Sequence, residues 1–127
     1  MLLSILYISI GASLGAVGRW FLGLWLNNLC AFIPIGTLVA NWVACYLMGV
    51  FMGGFLIFPN VSQEMRLLIL TGFLGGLSTL STLSAELVVL FQHGKLALAG
   101  GYLIFNVGGS LILTYLGVMS VSLFKRI

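Results

Sequence analysis

The segment from Gly72 to Glu86 decides the architecture, and it reads GFLGGLSTLSTLSAE. Three glycines followed by five serine or threonine residues favour an interrupted helix over a continuous one. In a membrane, irregular backbone is tolerated only where it is buried in protein or lines a water-filled cavity. An interruption there presents carbonyl and hydroxyl groups at membrane depth, where they can replace the hydration shell of an ion. We therefore expect the functional site at this segment.

The rest of the chain is strongly apolar. Of its 127 residues, 61% are hydrophobic and 6% are charged, a composition that excludes a water-soluble domain of this size. A spanning helix needs about 20 apolar residues, so the chain has room for four spans and short connectors. We predict an all-α membrane protein with one domain, residues 1–127. The net charge of +3 is too small and too scattered to indicate nucleic-acid binding.

Four apolar stretches are predicted to cross the membrane. Short polar loops separate them, and a proline lies at the predicted start of the second. The third stretch contains the glycine- and hydroxyl-rich segment, so we predict that this helix is broken in mid-span. The predicted spans are residues 3–26, 34–58, 65–91 and 96–124.

The basic residues give a weak orientation signal. Four spans place Arg66, Lys125 and Arg126 on one side of the membrane and Lys95 on the other, joined by Arg19 if it reaches that face from the first helix. Three against two is compatible with insertion in either orientation, although so near a balance also arises by chance. Four helices are too few to enclose a polar path, which favours a homodimer. If both orientations insert, the dimer is antiparallel, with a two-fold axis in the membrane plane.

Small residues and one arginine share a face of the first span. Gly11, Gly15, Arg19 and Gly23 recur every four residues. Glycines at this spacing let another backbone approach closely. Arg19 is either an anchor that reaches the interface or a fixed cation in an aqueous vestibule, where it would attract anions.

Polar residues also occur inside the second and fourth spans. Asn41 is either an interhelical hydrogen-bonding residue or a donor to a passing anion. Tyr102, Asn106, Ser110 and Thr114 recur every four residues along one helix face. They form either a hydrogen-bonding track or a contact between subunits.

Glu86 is the only carboxylate within a predicted span. A proton-coupled carrier would need such a group at its binding site; otherwise Glu86 caps its helix or reaches the interface. The only histidine, His93, lies in a predicted loop, and no set of nucleophile, base and orienting residue is recognisable. An enzyme is therefore not expected.

Three sequence pieces stand in order along the chain: GAVGRW at 15–20, GTLVAN at 36–41 and the segment from Gly72 to Glu86. Together they resemble the Fluc (CrcB-type) fluoride-specific ion channel family of bacteria, and the resemblance covers essentially the whole chain. It implies a multi-pass protein of the bacterial inner membrane that exports fluoride passively. It also implies an antiparallel, dual-topology homodimer with two pores.

The resemblance also implies roles for individual residues. Main-chain carbonyls of Gly75 and Ser78 would hold a central structural Na⁺ at the dimer interface. Arg19 would lie at a vestibule, and Asn41 would donate a hydrogen bond to fluoride. The other polar pore-lining residues would be Ser81, Thr82, Tyr102, Asn106, Ser110 and Thr114.

The chain departs from the family pattern at two pore positions. The family carries phenylalanines where this chain has Leu80 and Leu83. An aromatic ring offers a positive edge to an anion, whereas leucine does not. We therefore expect the dimer and the Na⁺ site to persist while conduction is weakened or abolished.

Two other function classes remain open at the level of sequence. The first is a small dual-topology, proton-coupled multidrug exporter that uses Glu86, although such exporters normally carry the acid in the first helix. The second is a structural membrane subunit that transports nothing.

Overall fold

A computed structural model describes residues 1–30 and 33–126, so residues 31, 32 and 127 of the predicted domain lie outside the description. Four apolar helical stretches of 23 to 30 residues are each long enough to cross a membrane. The predictions of an all-helical membrane protein and of four spans are therefore confirmed. The four stretches are Leu2–Leu29, Ile35–Ile57, Gln63–Gln92 and Leu96–Lys125.

The first two spans are single helices. Helix α1 is Leu2–Leu26, followed by a short 3₁₀ turn at Asn27–Leu29, and α2 is Ile35–Ile57. The third span consists of two helices, α3 and α4. Helix α3 runs without interruption through Gln63–Arg66, Leu67–Leu74 and Gly75–Leu77, and α4 is Ser81–Gln92. The fourth span is α5, Leu96–Arg126.

The middle of α3 is wound as a π-helix, which was not predicted from the sequence. The helix begins at Ser62, whose side chain accepts the N–H of Met65 at 3.2 Å. In Leu67–Leu74 the hydrogen bonds skip five residues, and the N–H of Gly75 still reaches the carbonyl oxygen of Leu70. The turn is therefore wider here than in an α-helix.

The predicted break in the third span is present, at residues 78–80. Ser78 is extended, with φ −79° and ψ 156°, and helix resumes at Ser81. The break follows the glycines rather than using them, because they are all helical and Gly94 is the one described residue with positive φ. The glycines of α3 serve close packing instead. A Cβ on Gly76 would lie 2.7 Å from the carbonyl oxygen of Ala12.

Glycines bring helix backbones together at two crossings. A Cβ on Gly11 would lie 2.8 Å from the backbone nitrogen of Phe73, and one on Gly15 would lie 2.8 Å from that of Leu77. This confirms the prediction that the small face of α1 receives another backbone. A Cβ on Gly49 of α2 would likewise contact the backbone of α5. Helix α2 therefore lies against α5, and α1 lies against α3.

The break lies between two buried apolar clusters. One cluster joins Ala40 and Ala44 of α2 to the end of α3. The other joins Leu83 of α4 to Ala99 of α5. Because both clusters fix a helix that borders the break, residues 78–80 are held opposite α2 and α5.

Candidate functional site

Asn41 binds the backbone of the broken segment. This α2 residue is 6% exposed. Its Oδ1 accepts the N–H of Thr79 at 2.7 Å, and its Nδ2 donates to the carbonyl oxygen of Thr79 at 3.1 Å. One side chain therefore satisfies both backbone polar groups of an extended residue at membrane depth, as apolar surroundings require.

The same contacts fix the orientation of two amide side chains. A backbone N–H can only donate, so the Asn41 atom that faces the N–H of Thr79 must be oxygen. Nδ2 of Asn41 must then face Asn106, and it donates to Oδ1 of Asn106 at 2.8 Å. The remaining Nδ2 of Asn106 consequently points away from Asn41.

Nδ2 of Asn106 has no hydrogen-bond partner. Among the described residues it is the one buried side-chain nitrogen or oxygen in that condition. Asn106 is 2% exposed, and a buried donor left unsatisfied costs about 1–3 kcal/mol. This amide therefore favours a ligand that accepts a hydrogen bond.

The unpartnered amide belongs to a groove beside the break. The groove has a volume of about 260 Å³ and is bordered by α2, the break, the start of α4 and α5. It combines amide, hydroxyl and backbone groups with apolar side chains. The lining residues are Asn41, Cys45, Ser78, Thr79, Leu80, Leu83, Asn106, Val107, Ser110, Leu111 and Thr114.

The two leucines of the broken segment differ in their surroundings. Leu80 lies at the rim of the groove and is 76% exposed. Leu83 is 2% exposed and packs in the cluster that contains Leu90 and Ala99. Both present only aliphatic surface to the groove.

Diversion of the Thr79 amide changes the end of α3. In a continuous helix the N–H of Thr79 would donate to the carbonyl oxygen of Gly75. Here it donates to Asn41 instead. Gly75 is also exposed on the surface of the single chain. The Gly75 carbonyl oxygen is thus relieved of its helical partner at an accessible position.

A second polar cavity contains the arginine of α1. Nε of Arg19 donates to the carbonyl oxygen of Gly76 at 3.1 Å, and Nη1 donates to Oγ1 of Thr82 at 3.4 Å. The cavity has a volume of about 470 Å³. Its lining residues are Ala16, Arg19, Trp20, Gly23, Leu24, Asn27, Thr37, Thr82 and Glu86.

Glu86 of α4 lies in that second cavity and accepts two hydrogen bonds. Oγ1 of Thr37 donates to Oε2 of Glu86, and the hydroxyl of Tyr102 donates to Oε1, each at 3.0 Å. The Tyr102 hydroxyl also lies 3.3 Å from the carbonyl oxygen of Pro34. These contacts join α2, α4 and α5.

The structure divides the residues singled out from the sequence between the two cavities. Arg19 and Thr82 line the second cavity, and Tyr102 binds the Glu86 that also lines it. The hydroxyl of Ser81 lies outside both, 3.5 Å from that of Thr79, and Gly75 lies on the exposed face of α3. The groove contains Asn41, Ser78, Leu80, Leu83, Asn106, Ser110 and Thr114.

Tyr102, Asn106, Ser110 and Thr114 form a polar stripe along one face of α5. Within the groove, one hydroxyl of this stripe donates a hydrogen bond to the backbone of its own helix. Oγ1 of Thr114 donates to the carbonyl oxygen of Ser110 at 2.9 Å. Its proton is therefore engaged, while its lone pairs remain acceptors. Asn106 carries the one donor of the stripe that is buried and unpartnered in the described chain.

Sequence reasoning assigned no role to Thr37 or Thr79. Thr79 is bound by Asn41 on both backbone groups, and its Oγ1 accepts the N–H of Thr82 at 3.2 Å, at the start of α4. The sequence feature that could have identified Thr79 is its position within the hydroxyl-rich segment. The feature that could have identified Thr37 is its position one helical turn before Asn41, on the same helix face.

Comparison with known proteins agrees with these observations. The family described as CrcB-like protein, Camphor Resistance (CrcB) matches residues 6–118. A protein of Tolumonas auensis named fluoride-specific ion channel FluC is 52% identical over 126 residues, which cover 99% of each chain.

Two further relatives carry the same name. The protein of Paraburkholderia xenovorans is 48% identical over 123 residues, covering 97% of this chain and 98% of its own. That of Pseudomonas aeruginosa is 52% identical over 119 residues, covering 94% of each chain. A family match over most of the chain, and relatives that span nearly all of it, place the protein: it belongs to the CrcB family.

Proposed function

We propose that this chain is a fluoride-specific passive ion channel that exports fluoride across a bacterial inner membrane. Relatives about half identical over nearly the whole chain are named fluoride-specific ion channels. The observation that carries the proposal is the unpartnered, buried Nδ2 of Asn106 beside the groove. An unpartnered N–H donor on a residue that lines a polar groove suits an anion and does nothing for a cation.

The groove also suits a small anion. Fluoride is compact and strongly hydrated, so a selective path must replace its water with closely placed donors and leave no room for a larger halide. Asn106 supplies a donor in the first half of α5, and the serine and threonine hydroxyls along the groove supply small polar groups. No covalent step is required, and transport would follow the fluoride gradient.

A second, antiparallel copy of the chain would complete the path. Leu80 is a large apolar residue at the groove rim and is 76% exposed. Gly75 is exposed on the same broken span. A partner related by a two-fold axis in the membrane plane would cover this face and place one groove on each side of the axis. The weak charge bias between the loops supports insertion in both orientations.

Main-chain carbonyls of Gly75 and Ser78 would hold a structural Na⁺ where the two breaks meet. The fit is supported by the diverted Thr79 amide, because it relieves the Gly75 oxygen of its helical hydrogen bond. Carbonyl oxygens suit such an ion, and the described residues contain no cluster of three His, Cys, Asp or Glu side chains that would compete for it. When bound, the ion would neutralise carbonyl dipoles and fix the two spans together.

The second cavity would be the vestibule. Arg19 lines it and would raise the local concentration of anions before they reach the groove. Thr82 and Ser81 lie at the start of α4, between this cavity and the break. The polar residues would thus form a route from the vestibule to Asn106.

Leu80 and Leu83 would make the path slower than one with phenylalanines at these positions. Neither leucine offers a ring edge to a partly dehydrated anion. Conduction would be weakened or abolished, while the dimer and its cation site would remain.

The test is ion efflux from proteoliposomes that contain the purified protein, with a fluoride or a chloride gradient. We expect fluoride efflux above that of empty vesicles, no chloride efflux and no need for a proton gradient. Because the leucines slow conduction, a Leu80→Phe, Leu83→Phe variant is measured in parallel. Absence of fluoride efflux from both proteins, or equal fluoride and chloride efflux, would overturn the proposal.

A further inference from the structure

We propose that a groove between the second half of α2 and the last turns of α5 binds one anionic phospholipid, with an acyl chain in the groove and the phosphate beside Lys125. This lipid groove has a volume of about 790 Å³, larger than either polar cavity described above. It shares no lining residue with those two cavities. Binding of a lipid here does not depend on which ion the protein transports.

The walls of the lipid groove are aromatic and aliphatic. Four phenylalanines line it, and two of them, Phe58 and Phe124, are exposed at the ends of their helices. Gly54 leaves space in the groove, because a Cβ placed on this glycine would meet nothing within 4 Å. In a membrane, a groove of this kind is filled by hydrocarbon, which gains van der Waals contacts with the rings.

The two hydroxyl groups in the lipid groove are already engaged with the protein. Oγ of Ser120 donates to the carbonyl oxygen of Leu116 at 2.8 Å, so its single proton is used. The hydroxyl of Tyr46 lies 3.1 Å from Oγ of Ser120 and must therefore be the donor in that contact. Neither hydroxyl has a proton left for water or for an anion. The inner end of the groove, where these two residues lie, therefore suits an acyl chain.

The length of the lipid groove suits a chain within one leaflet. The groove extends along α2 from Tyr46, the middle residue of the helix, to Phe58, which follows its last residue. At 1.5 Å per residue this distance is about 18 Å. Half of the hydrocarbon core of a bilayer is about 15 Å thick. A chain that enters at the end of α2 would thus reach the level of Tyr46 near the midplane.

The outer end of the lipid groove is positively charged. Lys125 is the one charged residue among the described residues that line it, and no carboxylate is among them. Arg66 adds a second cation, because its Cζ lies 5.2 Å from the centre of the Phe55 ring, and that ring lines the groove. Basic residues at the membrane surface attract anionic head groups. The charge of this groove therefore complements a phospholipid with a net negative charge.

The lipid groove lies away from the face at which we propose a second copy of the chain. Each residue of an α-helix turns the chain by about 100°. Tyr46, Val50 and Gly54 are therefore on the side of α2 opposite to Asn41 and Cys45. Asn41 and Cys45 line the groove beside the break, where the partner would pack. The lipid groove would consequently stay open to the bilayer in the dimer.

The test measures the lipid that the purified protein retains in native mass spectrometry. The protein is titrated with phosphatidylglycerol or with phosphatidylcholine that carries the same acyl chains, so the two lipids differ in the net charge of the head group. Lys125→Gln removes the cation of the lipid groove. Lys95→Gln is the matched control, because it removes the same charge beside the other end of α5. Both lysines are exposed, so both variants should fold.

We expect phosphatidylglycerol to bind the unmodified protein about fivefold more tightly than phosphatidylcholine, since one basic residue near the membrane surface contributes about this factor. Lys125→Gln should lower the affinity for phosphatidylglycerol about fivefold, and Lys95→Gln should leave it unchanged. Equal affinity for the two lipids, or an equal loss in both variants, would overturn the proposal. Displacement of phosphatidylglycerol by inorganic phosphate would also overturn it, because the site would then bind an anion without a chain.

A second pair of variants tests the space in the lipid groove. Gly54→Leu adds a side chain where the glycine leaves room, so it should lower the retention of both lipids severalfold. Gly100→Leu is its control, because a Cβ there also meets nothing within 4 Å and Gly100 lies in the first turns of α5. Unchanged retention in Gly54→Leu would overturn the proposal, and loss of a dimer in the same variant would assign the groove to a second copy. If Gly54→Leu does not fold, the two lysine variants still decide. No ion gradient is applied, so a failure of the proposed function would not alter these results.

Discussion

Arg19 bridges the two sides of the break. Its Nε donates to the carbonyl oxygen of Gly76 in the last turn of α3 at 3.1 Å, and its Nη1 reaches Thr82 in the first turn of α4 at 3.4 Å. One guanidinium on α1 therefore links the helix that ends before the break to the helix that begins after it. This geometry uses the planar fork of arginine, which lysine does not have.

Two substitutions of Arg19 are expected to distinguish the effect of its charge on efflux from the effect of its hydrogen bonds. Arg19→Ala should lower the initial rate of fluoride efflux roughly tenfold at low ionic strength and less at high ionic strength, because added salt screens long-range attraction. Arg19→Lys keeps the charge and should retain most of the low-salt rate. Efflux rates at two ionic strengths check this, and an equal loss at both would show that the contacts matter and the charge does not.

Aromatic residues at the leucine positions should speed conduction. Leu80→Phe adds a ring at a site that is 76% exposed, so it should fold normally and raise fluoride efflux, because the positive edge of the ring can face the anion. Leu83 is 2% exposed, so Leu83→Phe alone should lower the melting temperature through overpacking. Equal efflux from the leucine chain and the double variant would contradict the proposed effect of the missing rings.

Neutralising Glu86 should distinguish a channel from a proton-coupled exporter. Gln at this position keeps one oxygen that can accept from Tyr102 or Thr37. For a passive channel, Glu86→Gln should conduct fluoride within about twofold of the unmodified protein, and a pH gradient should change neither rate. Transport that follows the pH gradient and disappears in the variant would support the exporter instead.

Two glycines of α2 offer a matched test of the crossing between α2 and α5. A Cβ on Gly49 would lie 2.9 Å from the backbone nitrogen of Val118, whereas a Cβ on Gly54 would meet nothing within 4 Å. Gly49→Ala should destabilise the protein by about 1–3 kcal/mol. Gly54→Ala should be neutral or slightly stabilising because alanine favours helix. Thermal unfolding in detergent measures both, and equal melting temperatures would contradict the close crossing.

Much of the fold could be predicted from composition and spacing. Long apolar stretches separated by polar loops have few alternatives in a membrane, so the four spans were predicted within a few residues of their observed bounds. The face of Gly11 and Gly15 predicted a close crossing for the same reason. The position of the break was harder, because glycines and hydroxyl residues share the segment; the glycines proved helical and the break begins at Ser78.

The site was predicted less completely because side-chain partners come from other helices. From the sequence, Asn41 could be an interhelical hydrogen-bonding residue or a donor to a passing anion. Its hydrogen bonds to Thr79 and Asn106 are visible only in the structure, because these partners come from other spans. Tyr102 falls on the same stripe as Asn106, yet the two residues serve different cavities, because Glu86 lies opposite Tyr102. A repeat of four residues places side chains on one face but does not say what lies across from each.

The π-helical stretch Leu67–Leu74 determines the direction, around the axis of α3, in which the following residues point. An α-helix advances about 100° per residue, and a helix closed by longer hydrogen bonds advances less. Over two turns the lag accumulates, so Ser78 leaves the helix on the side of α2 rather than at some other azimuth. The winding of this mostly apolar stretch therefore sets the direction in which the break opens.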